Sequence, residues 1–566
     1  MPLTPPLRHI TGPSAPVKAA AAAHHAVPTQ HNTTTSPTPP SGSSEAKDLR
    51  PYANRTTAEL INSLLVFQLC GMPRLVEASP TILEWTEKMK LHGIAYAIIK
   101  RTFFKHFCGG EDLKEVVPTL EAFKKNHVGG ILDLAMEADM DEASLAGPAA
   151  LEQARKVANM FKESVDIASQ TTGSFIAVKI TALLPPSVLL AWSNTLNLLH
   201  QAFTEADSNK DGKITAKEFE KLSSTFPLIT GQTAKNLFEQ SDRDKDGSID
   251  WIDLSETFTI YNNEAARALI RKPLEPQTPD NPLITAELLD TAAPILPEID
   301  SVAQHAKDLR VRIMVDAEQT YFQPAVDDVA LVLCKKFNPS LKPSDAQSSE
   351  THSSPRGPIV YNTYQLYLRD TYANLVTDVE RAERAGYALG VKIVRGAYMH
   401  AERERAEAIG IPDPIQPDIK STHKAYDAAI DFLVGKVAKG IASTASSSAR
   451  PITFVVASHN AHSIQHARKA MAAANVAPNE GSIAFAQLMG MQDGTTFSLA
   501  AQGYKVFKYI PYGPVDVTIP YLQRRALENQ DILKPDGGVA QDRASLIREL
   551  KIRFGGNSGT VAAARA

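Results

Sequence analysis

The sequence predicts an α/β protein: a (β/α)8 barrel of the TIM type, with N-terminal helices and an inserted all-α pair of helix–loop–helix units. Three observations carry that prediction. Eight short runs rich in aliphatic and β-branched residues recur along the chain, each followed by a stretch of helical period. The runs are apolar on both faces, which suits parallel strands covered by helices better than half-exposed antiparallel ones. Eight β-then-α units in a row favour closure, and no GxGxxG follows any run, which counts against a dinucleotide-binding open sheet.

The bulk properties agree with one large barrel plus appendages. The chain has 566 residues, 43% of them apolar, and 59 basic against 63 acidic residues give a net charge of −4. That balance, with no basic stripe interleaved with aromatics, argues against a nucleic-acid partner. Cys70, Cys108 and Cys334 are scattered and odd in number, which argues against a disulfide framework and points to a reducing compartment. No run reaches the about 18 apolar residues that would span a bilayer.

In chain order, residues 1–48 read as a disordered leader. Its first acidic residue is Glu45, and it is rich in Ala, Ser, Thr, Pro and His with Arg8 and Lys18, which predicts a mitochondrial presequence; a plain tail is the alternative. Residues 49–186 hold the N-terminal helices and the start of the barrel, 187–275 the insertion, 276–540 the rest of the barrel and a C-terminal helix, and 541–566 a tail. The eight expected strands are VGGILDLAM (128–136), FIAVKITAL (175–183), RIMVDAE (312–318), PIVYNTYQ (358–365), GVKIVRGAY (390–398), ITFVVASHN (452–460), SIAFAQLMG (482–490) and YKVFKYIPY (504–512). Ser- and Pro-rich loops are expected over 337–357 and 439–451. Five of the runs end in polar residues: Lys179, Asp316, Gln365, Arg395 with Tyr398, and His459 with Asn460. A single such residue is usually a cap; five at the catalytic end of a barrel point to a site.

Within the insertion, DSNKDGKITAKE places Asp207, Asn209, Asp211, the Lys213 carbonyl and Glu218 at the spacing that surrounds a hard cation with oxygens, and Gly212 at the sharp turn. DRDKDGSIDWID repeats it with Asp242, Asp244, Asp246, Ser248 and Asp253. Asp253 stands where the pattern wants Glu and is one methylene shorter, so this second loop should hold Ca²⁺ more weakly or accept Mg²⁺. The two loops have the spacing of paired EF-hands, with Phe203, Phe219, Phe238 and Trp251 available for a shared apolar seam; a folded spacer that binds no ion is the alternative. Near the C-terminus, IPYLQRRALEN puts Tyr521, Arg524, Arg525 and Glu528 on one helical face. Two guanidiniums beside a tyrosine make a fork for a small carboxylate, and an Arg524–Glu528 pair on a solvated face is the plainer reading.

The motifs MVDAEQTYFQPA (314–325), YNTYQLYLRD (361–370), KIVRGAYMHAERERA (392–406), SHNAHSI (458–464), QLMGMQDG (487–494) and KYIPYGPVDVTIPYLQRRALEN (508–529) resemble, in order, those of the proline dehydrogenase family of flavoenzymes, eukaryotic mitochondrial type. The resemblance covers residues from about 50 to 535, with the hands as an insertion. It implies non-covalent FAD, oxidation of L-proline to Δ1-pyrroline-5-carboxylate, and electron transfer to ubiquinone by a protein peripheral to the matrix side of the mitochondrial inner membrane. By the same resemblance Arg524, Arg525 and Lys179 clamp the substrate carboxylate and Asp316 orients that cluster. Tyr509, Tyr521 and Leu488 wall the pyrrolidine ring with Tyr398 beside it. Lys392, standing where some members have Arg, lies near the flavin, with Gln365, Arg395, Gly396, Thr422, His459, Asn460 and Glu528 as further FAD contacts. Hydride passes from proline C5 to flavin N5, and the ring nitrogen must shed a proton held to about pH 10. Three cations around one carboxylate would leave surplus positive charge, which disfavours the protonated amine. A 4-hydroxyproline dehydrogenase is the nearest rival, and a catalytically inactive, calcium-responsive barrel scaffold the more distant one. The resemblance also implies that a tyrosine at 509 crowds the ring carbon that bears the extra hydroxyl.

Overall fold

A computed structural model of the chain describes residues 50–135, 147–171, 173–271, 281–341, 357–443, 450–532 and 538–555. In chain order the strands are β1 (Gly129–Leu134), β2 (Phe175–Val178), β3 (Lys213–Thr215), β4 (Ser248–Asp250), β5 (Arg312–Val315), β6 (Val360–Gln365), β7 (Leu389–Val394), β8 (Ile452–Ala457), β9 (Ile483–Leu488) and β10 (Lys505–Tyr512). All but β3 and β4 form one closed barrel in the order β1-β10-β9-β8-β7-β6-β5-β2. Every pairing in it is parallel, and β10 meets β1 with Tyr509 opposite Ile131. The barrel strands match the eight apolar runs one for one.

Side chains alternate along a strand, so each run must satisfy two environments. Ile131, Phe175, Ala177, Met314, Tyr361, Val455, Ala484, Ala486 and Phe507 fill the interior, while their neighbours Leu132, Ile176, Ile313, Val360 and Val456 pack outward on the helices. The interior is plugged by aromatics: Phe175 meets Tyr361 and Phe507 edge-on at 5.2 and 4.9 Å. A Cβ on Gly390 would stand 2.6 Å from the Tyr361 ring, so only glycine leaves room for it.

The insertion leaves the barrel after β2. Helix Pro186–Ala206 leads into the first loop, and β3 and helix Ala216–Phe219 follow; helix Gly231–Ser241, β4 and helix Trp251–Thr257 repeat the arrangement. β3 and β4 pair antiparallel with Ile214 opposite Ile249. The expected seam forms: Phe203 stacks near Trp251 at 5.9 Å and Phe219 meets Phe238 at 5.7 Å. The entering helix also belongs to the barrel's outer layer. Its Trp192 is fully buried and donates from Nε1 to Asp328 Oδ2 of helix Gln323–Phe337 at 2.8 Å, and the same oxygen accepts the Ile260 N–H at 2.9 Å.

Two expectations need correction. The stretch expected as a tail contains helix Gly538–Arg553, because its apolar residues return at helical spacing. Leu546 is buried with Tyr52, Leu60 and Phe67, and Glu549 holds Arg50 at 2.7 Å and Arg553 at 2.9 Å. The loop expected from 439 starts later, since helix Ile419–Ser443 runs on while Ile441 still packs on the core. The leader, and residues 342–356 and 444–449 of the two polar loops, lie outside the described residues.

Candidate active site at the barrel mouth

Strand parity sets the site. On each barrel strand the residue two positions beyond the apolar plug points inward again at the C-terminal mouth. Beyond Ile131 that residue is Asp133, beyond Ala177 it is Lys179, and beyond Met314 it is Asp316; Lys392 follows Gly390, His459 follows Ala457, Leu488 follows Ala486, and Tyr509 follows Phe507. Gln365, four past Tyr361, completes the ring and donates from Nε2 to the Glu318 carbonyl at 2.7 Å.

Carboxylates knit this layer together. Lys179 Nζ donates to Asp133, and Lys392 Nζ donates to Asp316. Tyr509 donates its hydroxyl to the other Asp316 oxygen at 2.6 Å, and the Lys392 ammonium lies 5.6 Å from the Tyr509 ring centre. Burial works against the Lys179 ammonium, but Asp133 and Asp316 outweigh it and hold its pKa above the ordinary lysine range. Burial likewise opposes the Asp316 carboxylate, yet Lys392 and Lys179 hold it below the usual carboxylate range. Burial also pushes the Asp133 carboxyl up, with Lys179 opposing it, so Lys179 and Asp316 are the members held in their charged forms.

Helix Val515–Ile532 lies across the mouth. Its Arg525 is buried, sits 4.8 Å over the Tyr521 ring and pairs with Glu528. Arg525 reaches Glu528 at a spacing of three residues, which a helix allows as readily as four. Arg524 is half-buried. Of the three cations expected to leave surplus positive charge, Lys179 and Arg525 each already hold a carboxylate, Asp133 and Glu528.

The other predicted flavin contacts sit one layer outward. Arg395 donates to Ser458 Oγ at 2.8 Å and Ser463 Oγ at 2.6 Å, and its guanidinium stacks 3.8 Å from the Tyr426 ring. Asn460 caps helix Ala461–Ala473 by accepting the Ser463 N–H at 3.0 Å. Thr422 donates to the Asp418 carbonyl at 3.3 Å on the first turn of helix Ile419–Ser443. Gly396 is exposed, and Tyr398 is half-buried where helix Met399–Ile409 begins. His459 Nε2 accepts the Leu488 N–H at 3.0 Å, so its proton is on Nδ1; burial, with Lys508 and Arg525 nearby, pushes its pKa down to about 3. Asp133 was not among the predicted residues. A lone carboxylate inside the apolar run GGILDL, at the parity of Ile131, was the available signal.

The hand loops differ from each other. Among the described residues, Asp242, Asp244 and Asp246 are the one group of three acidic side chains whose oxygens lie within 4.8 Å of one another. Asp253, by contrast, accepts the Asp250 N–H at 3.1 Å as part of a capping box. Lys213 reaches across from the first loop to Asp246 at 2.7 Å, and chiefly through that contact Asp246 is held down to about 2. In the first loop the oxygens serve the backbone: Asp207 accepts the Gly212 N–H at 2.9 Å, Asn209 donates to Asp211 at 2.8 Å, and Glu218 accepts the Ser208 and Thr215 N–H groups at 3.2 and 3.1 Å.

Comparison with known proteins bears on the whole arrangement. A model of the proline dehydrogenase family matches residues 116–534. Proline dehydrogenase 1, mitochondrial, of Caenorhabditis elegans is 31% identical over 89% of this chain and 87% of its own length. The Homo sapiens protein of the same name is 29% identical over 89% and 88%, and hydroxyproline dehydrogenase of Mus musculus 30% identical over 89% and 92%. Among solved structures, proline utilization A of Bdellovibrio bacteriovorus, inactivated by N-propargylglycine, superposes with a TM-score of 0.51 at 16% identity. That match covers 91% of this chain but only 42% of the larger protein, and it speaks to the fold alone. The family model spans the barrel from before β1 to the helix across its mouth, and on that match the chain belongs to the proline dehydrogenase family.

Proposed function

We propose that this chain oxidises L-proline to Δ1-pyrroline-5-carboxylate with bound FAD, and passes the electrons to ubiquinone at the matrix side of the mitochondrial inner membrane. The observation that carries the reading is the ring of paired charges at the barrel mouth in a member of this family. Arg525, Arg524 and Lys179 hold the substrate carboxylate. Of the three carboxylates that occupy cations, Glu528 is the most exposed, with 35% of its side chain open against 5% for Asp133 and 13% for Asp316. Exchanging Glu528 for substrate therefore desolvates least, and Arg525 is where the carboxylate docks. Once docked, the substrate must shed the proton of its ring nitrogen for the imine to form. Tyr509, fixed by Asp316, walls the ring with Tyr521, Leu488 and Tyr398 and favours proline over 4-hydroxyproline.

The residues fit FAD. Arg395 Nε and His423 Nδ1 are buried polar atoms without a partner, and the Arg395 charge is felt at His423, a pairing that suits an anionic pyrophosphate. Gln365, Lys392, Arg395, Gly396, Thr422, His459 and Asn460 would hold the cofactor, joined by Glu528 once substrate displaces it from Arg525. When bound, FAD supplies the acceptor for the hydride from C5. Charge around that acceptor is set by Lys392, and the neutral His459 offers its Nδ1 proton as a donor. The two hands bind Ca²⁺ in this reading, the convergent carboxylates of the second loop giving it the stronger structural case.

Anaerobic addition of L-proline to the purified yellow protein tests the proposal. Bleaching of the flavin by L-proline, and much more slowly by trans-4-hydroxy-L-proline, is expected. No bleaching by either would refute the activity, and faster bleaching by hydroxyproline would refute the substrate.

A further inference from the structure

The segment before β1 carries a surface that neither the site nor the hands explain. Helices Ser79–Lys88 and His92–Ile99 contain no buried residue. Yet the second is apolar nearly all round, a composition ordinarily found in a core or in lipid. Its Tyr96 and Ile99, with Phe103 beyond, rest on the cluster of Phe104, Phe107, Tyr521 and Leu522, against helix Val515–Ile532. The opposite face is open: Ile94 is 63% exposed and Ile98 59%. Ile82 and Trp85 on the first helix and Met89 just past its end stand at spacings of three and four residues and are all exposed, Trp85 by 57%. Met89, Lys90 and Leu91 form the exposed turn between the helices, and the Tyr96 hydroxyl ties them by donating to Glu87 at 3.3 Å.

The charge around this stripe selects its partner. Lys88, Lys90, Arg101 and Lys105 are exposed along the hairpin and its continuation, against Glu84 and Glu87. Aliphatic side chains and a tryptophan flanked by long cationic ones are the makeup of a helix lying at the level of lipid headgroups. Among the described residues no helix is long and apolar enough to cross a membrane. We propose that the hairpin Ser79–Ile99 is the face by which this protein lies on an anionic lipid bilayer, its apolar stripe seated among the headgroups. The inference rests on the membrane association read above and names the surface for it. It sets the lipid beside the helix that carries Arg525, so electrons leave the mouth close to the membrane.

The full chain with its flavin is mixed with vesicles of phosphatidylcholine, with and without phosphatidylglycerol, and the bound fraction is read by sedimentation. Strong binding is expected only with the anionic lipid. Trp85→Glu with Ile94→Glu should lower the partition constant about tenfold or more. Lys88→Glu with Lys90→Glu should lower it roughly fivefold per lysine on anionic vesicles alone. Trp192 is fully buried and Trp251 half-buried against the core, so a blue shift of tryptophan emission on vesicle addition that disappears in Trp85→Phe would place Trp85 at the lipid. Absence of vesicle binding by the parent overturns the proposal. So does a parent that self-associates through this face, recognised when Ile94→Glu converts it to a monomer. Proline oxidation with a soluble dye as acceptor is followed in parallel: intact dye-linked activity with no lipid binding refutes the surface alone, whereas its loss in the parent refutes the enzymatic reading.

Discussion

Arg525→Ala tests the substrate clamp most directly. In the folded chain this guanidinium is 6% exposed, lies over the Tyr521 ring and is shared with Glu528. Its removal takes one charge-assisted contact from the substrate carboxylate, a loss of about 1.5–3 kcal/mol, or roughly 10- to 150-fold in kcat/KM. Because the contact forms with substrate already in the ground state, the loss should appear mainly in KM. The stability cost is smaller, since Glu528 is a third exposed and turns to water when its partner is gone. Arg525→Lys keeps the charge but not the planar fork, so it should fall between parent and alanine variant. Steady-state kinetics with a soluble dye, alongside flavin absorbance to count loaded sites, separates the two ligands. Guanidinium ion added to the alanine variant should restore part of the loss. A normal KM in Arg525→Ala, or equal losses of proline and flavin binding, would refute the clamp.

Other consequences are as open to measurement. Tyr509→Phe loses the 2.6 Å hydrogen bond to Asp316 and should weaken kcat/KM about tenfold, while Tyr509→Ser should shift the kcat/KM ratio toward 4-hydroxyproline; an unchanged ratio would contradict the wall assigned to it. His106 and His459 are held neutral, mainly by burial, at about 4 and about 3. Below the unfolded value near 6.5 the unfolded chain takes up protons that the folded one refuses, so stability should fall with acid from that pH toward 4, by ~1.4 kcal/mol per pH unit per histidine. Urea midpoints at several pH values read this, and His106→Gln should flatten the slope. Calorimetric titration of the full chain with Ca²⁺ should show heat that shrinks in Asp242→Ala with Asp244→Ala, and a thermally silent parent would end the ion-binding reading. Residues 1–50 fused to a fluorescent reporter should reach mitochondria, and a diffuse cytosolic signal would count against the leader.

The barrel was readable because its strands must be apolar twice over, toward the plug and toward the helices, and that double demand leaves long aliphatic runs. The site was readable only in part. Lys179 and Asp316 stand out because polarity at a strand end breaks such a run. Asp133 does not, because it lies within its run and shows itself only when inward parity is carried from strand to strand. That Arg525 lies over the Tyr521 ring while it pairs with Glu528 is a matter of packing, which helical spacing does not encode. The spacing of the two acidic loops could be read from the sequence, but not that Lys213 of the first reaches Asp246 of the second, a contact with no signature in either motif.

Helix Pro186–Ala206 has a thermodynamic consequence. One end of it leads into the first acidic loop, and its body seats Trp192 in the barrel's outer layer on an Asp328 oxygen that also holds the Ile260 backbone beyond the second loop. The two modules are therefore expected to unfold together rather than one at a time. Any ion that prefers the folded hands stabilises the whole catalytic body by mass action, about 2.7 kcal/mol when its concentration is a hundred times its dissociation constant. Calcium would then act less as a switch on turnover than as a setting on how long the enzyme survives, tying the lifetime of proline oxidation to the ionic state of its surroundings.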